Sequence, residues 1–566
     1  MARATRPRIP ASSPRNGTRV GYRRTPQDQH PSDPPFPTGH VPTGHTTTVA
    51  MLTMSVPSVL WLAIPGDADL GCSAPSYFSD LNLDQVVEGA VAGLDQLDGW
   101  DIRPVYYRRL SDQDEVRYRQ EVFSDLERRD VLDAVSGFAD AMRVVRGLLA
   151  STSDLSHPSE TGRWHLDAAW SYLQAVDTLA EALVAADTRS RAMRALAWYV
   201  AELAASQRFG ELRSDCAYVR ERLASVRYCV HVRGLSITVT ECGGEPDYSA
   251  ELQWTFARFR QGLARDYRVP VRDRERLDHV EAQVLDRVAM LFAAEFTELE
   301  EFRAKWQDFV DPVLDRFDRE VPFYLTYLSW IQPLRSAGLP MCYPEVVPRP
   351  EEAGAHDSFD VVLARKLVAE GGTVVTNDFS FAGEERILVV TGPNQGGKTT
   401  FARMFGQLHH LAALGCPVPG AAARLRLCDQ MFTHFHRDED LDSTAGQLED
   451  DLRRIREILL SATADSVLVV NEIFTSTTLR DATFLGRILI ERACEIGLVC
   501  VYVTFVDELA SLNASTVSMV STVDLGDPSI RTFKLLRRPA DGRSYAVAIA
   551  RKYGVSYEQL AERFAR

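Results

Sequence analysis

The residues with the clearest chemistry lie in one run, Gly392-Pro393-Asn394-Gln395-Gly396-Gly397-Lys398-Thr399, which has the spacing GxxxxGK[ST]. Glycines let a backbone wrap closely around phosphate, and the N–H groups of such a loop point inward as a cradle. At that spacing Lys398 is expected to reach the β- and γ-phosphates of a nucleotide, and the Thr399 hydroxyl to ligate Mg²⁺. Thr400 continues into a helical stretch, whose N-terminal dipole adds attraction for the anion. A second constellation follows: Val467-Leu468-Val469-Val470 ends in Asn471-Glu472. Glu472 stands where a carboxylate would polarise an attacking water. Asn471 takes the place of the usual metal-holding aspartate. An amide can accept from a metal-bound water but carries no charge, so weaker Mg²⁺ stabilisation and slow turnover are expected. Together these residues point to binding and hydrolysis of ATP with Mg²⁺.

Particular elements must hold these residues in place. Ile387–Thr391 reads as a short buried strand entering the glycine run, and Thr400–Ala413 as the helix leaving it. The run 467–470, apolar at every position, reads as a parallel strand buried on both faces. Residues 346–566 are therefore expected to form an α/β domain with a mostly parallel sheet. Residues 56–345 read as mainly helical, with apolar spacing over Leu126–Leu149, His165–Leu203, Trp254–Ala264, Leu277–Phe296, Phe302–Val310 and Tyr324–Ile331. A β-hairpin near 226–241 interrupts them around Arg233-Gly234. Pro340, Pro344, Pro348 and Pro350 mark the boundary. A first buried strand is expected around Ser58–Ala63. Residues 1–55, rich in Pro, Arg, Thr and Ser, read as a disordered leader, unless translation begins at Met51 or Met54.

Composition bounds the partners. The chain has 566 residues and a net charge of −15, so any contact with nucleic acid needs a local basic face. Candidate clusters are Arg103/Arg108/Arg109, Arg117-Tyr118-Arg119, Arg128-Arg129, Arg268/Arg272/Arg274/Arg276 and Arg537-Arg538; each also reads as a solvated face beside acids such as Asp112, Asp114, Glu115 and Glu127. Nine scattered cysteines without a CxxC pair suit reduced thiols in a cytoplasmic protein rather than a zinc site. No apolar run is long enough for a transmembrane helix, so no membrane partner is expected.

The motifs resemble those of the MutS family of DNA mismatch-repair proteins. Its phosphate loop reads TGPNMGGKS/T, and here Thr391 to Thr399 read TGPNQGGKT. Asn377-Asp378 matches the family's upstream ND element. Asn471-Glu472-Ile473 and Thr477 fall on its DEIGRGT segment in register with Asp481, and Thr504 and Glu508-Leu509 fall on its THYxEL segment. Ser443-Thr444 resembles the ST of the signature loop, and Ser544-Tyr545, Ala548, Ala550 and Gly554 resemble the C-terminal SYG stretch. The resemblance covers about 350–566. More loosely, the stretches 77–87, 118–126 and 324–343 look like lever and connector helices.

The resemblance implies an ABC-type P-loop ATPase domain behind a helical lever or connector region. It implies a homodimer in which Ser443 completes the nucleotide site across the interface, and duplex or branched DNA as the ligand. Departures accompany it. Phe505 replaces the His of THY, a candidate γ-phosphate sensor. Phe474-Thr475-Ser476 replaces Gly-Arg-Gly, and Val374 stands where an aromatic residue often stacks on adenine. No separate mismatch-reading domain fits before the helices; Phe209-Gly210-Glu211 and Phe296-Thr297-Glu298 match that domain's Phe-x-Glu letters but fall in helical patterns. The expected function is thus an ATP-switched dimeric clamp on DNA, with a nucleotide-gated scaffold of weak ATPase activity as the alternative.

Overall fold

Apolar residues at helical spacing give the first half of the chain its structure. The computed structural model describes residues 58–64, 73–92, 94, 100–152, 155, 157–234, 236–244, 279–348, 352–436, 446–524, 530–540 and 557. All of these belong to one compact unit, Ser55–Arg566. The helices in chain order are α1 (Tyr77–Asp80), α2 (Leu83–Val91), α3 (Arg103–Tyr107), α4 (Gln113–Leu126), α5 (Arg129–Thr152), α6 (Pro158–Ala186), α7 (Arg191–Ala205), α8 (Gln207–Ser225), α9 (His279–Leu291), α10 (Ala293–Lys305), α11 (Pro312–Glu320) and α12 (Pro322–Ser336). The leader 1–55, the stretch Trp254–Ala264, the cluster Arg268 to Arg276, Ser443-Thr444 and the motif around Ser544-Tyr545 lie outside the described residues.

Several helical stretches prove to be divided. The run His165–Leu203 breaks between α6 and α7, where Asp187 takes a left-handed φ of 47° and Ser190 caps α7 by accepting from the Met193 N–H. The buried Asp125 carboxylate accepts from the N–H groups of Arg189 and Ser190 and so holds that corner. The run Leu277–Phe296 breaks at Phe292, between α9 and α10. Phe302–Val310 is not one helix: α10 ends at Lys305, and Asp311 caps the next helix through the Val313 and Leu314 N–H groups. The hairpin forms as expected from β1 (Tyr228–Arg233) and β2 (Ser236–Glu241), with Arg233 opposite Ser236 and Gly234 at φ +61°. Both Phe-x-Glu triplets lie inside helices, α8 and α10.

Ser58–Ala63 is buried over its first four residues but is not a strand. Its polar groups are met by side chains instead of by a neighbouring strand. Glu320 accepts from the Ser58 hydroxyl at 2.8 Å and the Val59 N–H at 2.8 Å. Tyr118 and Tyr324 donate to the carbonyls of Ser58 and Val59, and Arg119 donates to that of Leu60. Burial pushes the Glu320 carboxyl up, against the opposing effect of the Ser58 and Val59 bonds. A raised folded-state pKa contributes stability that is fully present below the unfolded value, about 4.3, and is lost as pH rises through the folded value. The thermal midpoint of the wild type relative to Glu320→Gln is therefore expected to fall as pH rises above that range. A difference independent of pH would show that Glu320 does not titrate in this way.

The second half adds β3 (Met341–Cys342), β4 (Glu345–Val347), β5 (Glu352–Ser358), α13 (Val361–Ala369), β6 (Asn377–Ala382), β7 (Ile387–Thr391), α14 (Lys398–Ala413), β8 (Val418–Pro419), β9 (Ala422–Arg426), β10 (Met431–Phe435), α15 (Gln447–Ser461), β11 (Val467–Asn471), α16 (Leu479–Ile496), β12 (Val499–Val503), β13 (Thr516–Val523) and β14 (Arg531–Arg537). Six strands make one sheet in the order β10-β11-β12-β7-β13-β14. Every pairing is parallel except that of β13 with β14. A smaller sheet runs β4-β9-β5-β6.

Strands β7, β11 and β12 are apolar except for Thr391 and Asn471 at their ends because both faces of the large sheet are covered there. Leu388, Val390, Val467 and Val469 enter one core together with the helices of the first half. Ile387, Val389, Leu468 and Val470 enter a second core beneath α15 and α16. Helix α14 is buried along nearly its whole length between the large sheet and the first-half helices. Its His410 stays neutral, burial pushing it down to about 3. The Tyr106 carbonyl can only accept, so His410 donates to it from Nε2 and accepts the Tyr77 hydroxyl at Nδ1. Gln407 bonds the Leu81 carbonyl and the Asp360 carboxylate that caps α13. The C-terminal end of α14 meets the buried segment through Arg119, which bonds the carbonyls of Leu414 and Leu60.

Candidate functional site

The glycine run leaves β7 at Thr391 and becomes α14 at Lys398, so strand, loop and helix follow in the order the spacing requires. Gly392 and Gly397 have φ of +117° and +90°, a region that L side chains rarely adopt. Gly396 is required for a different reason. A Cβ there would lie 2.3 Å from the Ser521 hydroxyl, which donates to the Gly396 carbonyl at 2.6 Å. Ser521, on β13, thus braces the loop from below.

Four of the residues expected to act on a nucleotide meet in two neighbouring contacts. The Lys398 ammonium is 96% buried as a side chain and lies 3.1 Å from the Gly392 carbonyl, 3.2 Å from Asn394 Oδ1 and 3.3 Å from Glu472 Oε1. Thr399 donates its hydroxyl to Asn471 Oδ1 at 3.1 Å. Asn471 ends β11, two strands away from β7 in the sheet, and Glu472 follows at φ +53°. Phe474 repeats the left-handed conformation at φ +59°. Such backbone costs roughly 1–3 kcal/mol per non-glycine residue and persists only where its surroundings hold it.

Lys398, Thr399 and Glu472 line a cleft of about 780 Å³, with Asn394, Gln395 and Thr400. That is ample for a nucleotide. The lining also includes the apolar side chains of Leu363, Leu367, Val374 and Phe533, the last packed beside Gly397. Phe533 was not marked by any motif. It lies on β14 at φ +58° with about half its surface exposed, and its carbonyl accepts from the Asn377 amide at 3.1 Å. The same side chain accepts from the Leu535 N–H at 2.7 Å, so the ND element, Asn377, fixes the strand that presents Phe533. Val374 lines the cleft as its position implied, whereas Phe505 is half exposed and does not.

Thr399 and Asn471 present two oxygens within hydrogen-bond distance of each other beside the glycine loop, a set that suits a hard cation retaining several of its waters. No cluster of three or more His, Cys, Asp or Glu side chains with metal-ligand geometry occurs among the described residues. Ser443 lies outside the described residues.

The basic clusters are largely committed elsewhere. Arg103 pairs with Glu88 and Asp101, Arg128 with Asp130, and Arg537 with Glu385. Arg109 donates to the Asp429 carbonyl. Arg119 is fully buried against Trp61 and Phe323 and cannot be a surface contact. No helix among the described residues is long and apolar enough to cross a membrane.

Residues 388–563 match the family described as MutS domain V. The curated relatives include Endonuclease MutS2 of Gemmatimonas aurantiaca, 30% identical over 190 residues, a stretch that is 33% of this chain and 23% of the relative. DNA mismatch repair protein MutS of Shouchella clausii is 31% identical over 209 residues, 36% of this chain and 23% of that protein. The protein of the same name from Brevibacillus brevis is 32% identical over 213 residues, 37% of this chain and 23% of the relative. The matched stretches thus span about a quarter of these relatives. Over its C-terminal part the chain is MutS-like.

Proposed function

We propose that this MutS-like chain is an ATP-dependent DNA-binding protein of mismatch repair or a related DNA transaction, in which ATP binding and hydrolysis switch a dimeric clamp. The observation that carries the nucleotide half of this reading is the convergence of Lys398, the Thr399–Asn471 pair and Glu472 on one cleft. The loop Gly392–Gly397 cradles the phosphates, and Lys398 turns from the Gly392 carbonyl and Asn394 to the β- and γ-oxygens. Phe533 and Val374 flank the base. Glu472 accepts a proton from the attacking water and aims it. Thr399 and Asn471 would hold Mg²⁺, which would supply charge to offset that on the phosphates. Ser443 of the partner subunit completes the site. The carbonyls and capping groups that α14 shares with the first-half helices give nucleotide state a route to those helices, which act as the lever and connector region.

The DNA half rests on the relatives named for mismatch repair and on the family motifs. Its test is equilibrium binding of the purified chain to matched, mismatched and branched duplexes, with and without ATP, across a salt series. Preference for mismatched DNA that ATP alters is the expected result. Binding to branched DNA alone moves the assignment to recombination or fork processing. No salt-dependent binding to any duplex sinks the DNA assignment.

Asn471 favours a second reading, a nucleotide-gated scaffold that turns ATP over slowly. The amide at 3.1 Å from Thr399 lacks the charge that would draw the metal. Asn471→Asp is expected to raise the steady-state hydrolysis rate about tenfold, the effect of one added charge on a metal-assisted step. An enzyme already fast, and unchanged by Asn471→Asp, would remove the basis of the scaffold reading.

A further inference from the structure

We infer that Asp451 and His434 are positioning residues that hold the turn after β11 and thereby aim Glu472; this rests on the ATPase reading above. Asp451 is on α15 and His434 on β10, and each is more than nine-tenths buried. The Asp451 carboxylate is divided between two elements. Oδ1 accepts the His434 Nε2–H at 2.8 Å, and Oδ2 accepts the Phe474 N–H at 3.2 Å.

The second of these bonds matters because Phe474 is left-handed, and Glu472, two residues before it, is too. Two non-glycine residues in that conformation relax to other backbone angles unless something holds them. The Phe474 ring is almost fully buried, which anchors the turn from one side, and the Asp451 carboxylate anchors its backbone from the other. Two further bonds join β10 to the same turn: the His436 N–H donates to the Asn471 carbonyl at 3.0 Å, and Thr475 Oγ1 lies 3.3 Å from His436 Nδ1. Gln447, at the start of α15, donates to that same nitrogen at 3.0 Å. The turn that carries Glu472 is thus tied to α15 and β10, not only to its own strand.

A buried carboxylate is costly to desolvate, and an apolar pair would fill the same space between α15 and β10. What an apolar pair cannot do is grip a backbone N–H. Neither residue touches the cleft, so both act through Glu472.

The test measures kcat for ATP hydrolysis at saturating nucleotide, and nucleotide Kd, on the full chain. Asp451→Ala is expected to lower kcat about 10- to 100-fold while Kd stays within about threefold, since a displaced base costs rate and not ground-state binding. Asp451→Asn keeps an acceptor for the Phe474 N–H and is expected to fall between. It also carries the comparison if Asp451→Ala does not fold. His434→Gln, which retains a donor toward Asp451, is expected to keep most of the activity. In a Glu472→Gln background, Asp451→Ala is expected to cause no further loss, because groups acting as a unit are not additive. A kcat within about twofold of wild type, losses that multiply with Glu472→Gln, or a rise in Kd matching the fall in kcat overturns the inference. A wild-type chain that binds no nucleotide overturns the ATPase reading itself.

Discussion

Replacing Glu472 with Gln is expected to leave nucleotide bound and to reduce its hydrolysis about 10²- to 10⁴-fold, the range that a positioned general base supplies. The side chain sits 3.3 Å from Lys398 and has 38% of its surface exposed, so water reaches it while Lys398 is fixed beneath. Gln has nearly the same shape, so the left-handed backbone at residue 472 and the cleft it lines should persist. What is lost is a carboxylate able to take a proton. The same change removes the negative charge beside the Lys398 ammonium. Lys398 then meets the phosphates without first leaving an anion, so affinity for ATP should be equal or higher. Single-turnover hydrolysis alongside equilibrium binding separates the two effects. Hydrolysis at the wild-type rate would take the catalytic role away from Glu472 and leave it as a tether for Lys398.

The glycine-loop part of the cleft was legible in the sequence because its geometry is local. A strand, a glycine run and a helix are contiguous in the chain, and the φ values at Gly392 and Gly397 follow from what only glycine tolerates. The strand that begins at Val467 was legible for a related reason: the run 467–470, apolar at every position, fits a sheet covered on both faces. That Asn471 would stand beside Thr399 follows once both strands belong to one parallel sheet and the glycine run ends at Thr399.

The place of Phe533 in the cleft was not legible. Phe533 lies 135 or more residues from the glycine loop, in a strand with no motif, and reaches the cleft only through the hairpin-like return of β14 on β13. The match of Asn377-Asp378 marked a position without showing its task, which is to grip both sides of Phe533 through its carbonyl and the Leu535 N–H. Ser58–Ala63 misled for a physical reason as well. A short apolar run reads alike whether a neighbouring strand or distant side chains meet its polar groups. Here Glu320, Tyr118, Tyr324 and Arg119 do so from helices far along the chain. Helix ends such as 187–190 escaped detection because the apolar spacing continues across them, while the break is imposed by the Asp125 carboxylate from another helix.

Lys398→Ala should remove nucleotide binding, and the lining of the cleft shows why no neighbour can replace it. The ammonium has 4% of its surface exposed and is the one lysine side chain lining the cleft among the described residues. A charge-assisted hydrogen bond contributes about 1.5–3 kcal/mol, and Lys398 is placed to make one to each of two phosphates. Losing both corresponds to roughly 10²-fold or more in affinity. Arg in its place should not rescue. The planar guanidinium needs a wider space than the gap between the Gly392 carbonyl, Asn394 and Glu472 provides for a compact ammonium. The cleanest measurement is the rise in thermal midpoint caused by ATP, which scales with the logarithm of ligand concentration over Kd. The wild type should show that rise, and Lys398→Ala and Lys398→Arg should not, with Glu472→Gln retaining it. Because the ligand-free midpoint of each variant is its own reference, lost binding is separated from lost stability. An undiminished ATP-induced rise in Lys398→Ala would mean that the nucleotide, if bound, is held by something other than this loop, and the catalytic assignments at Thr399, Asn471 and Glu472 would fall with it.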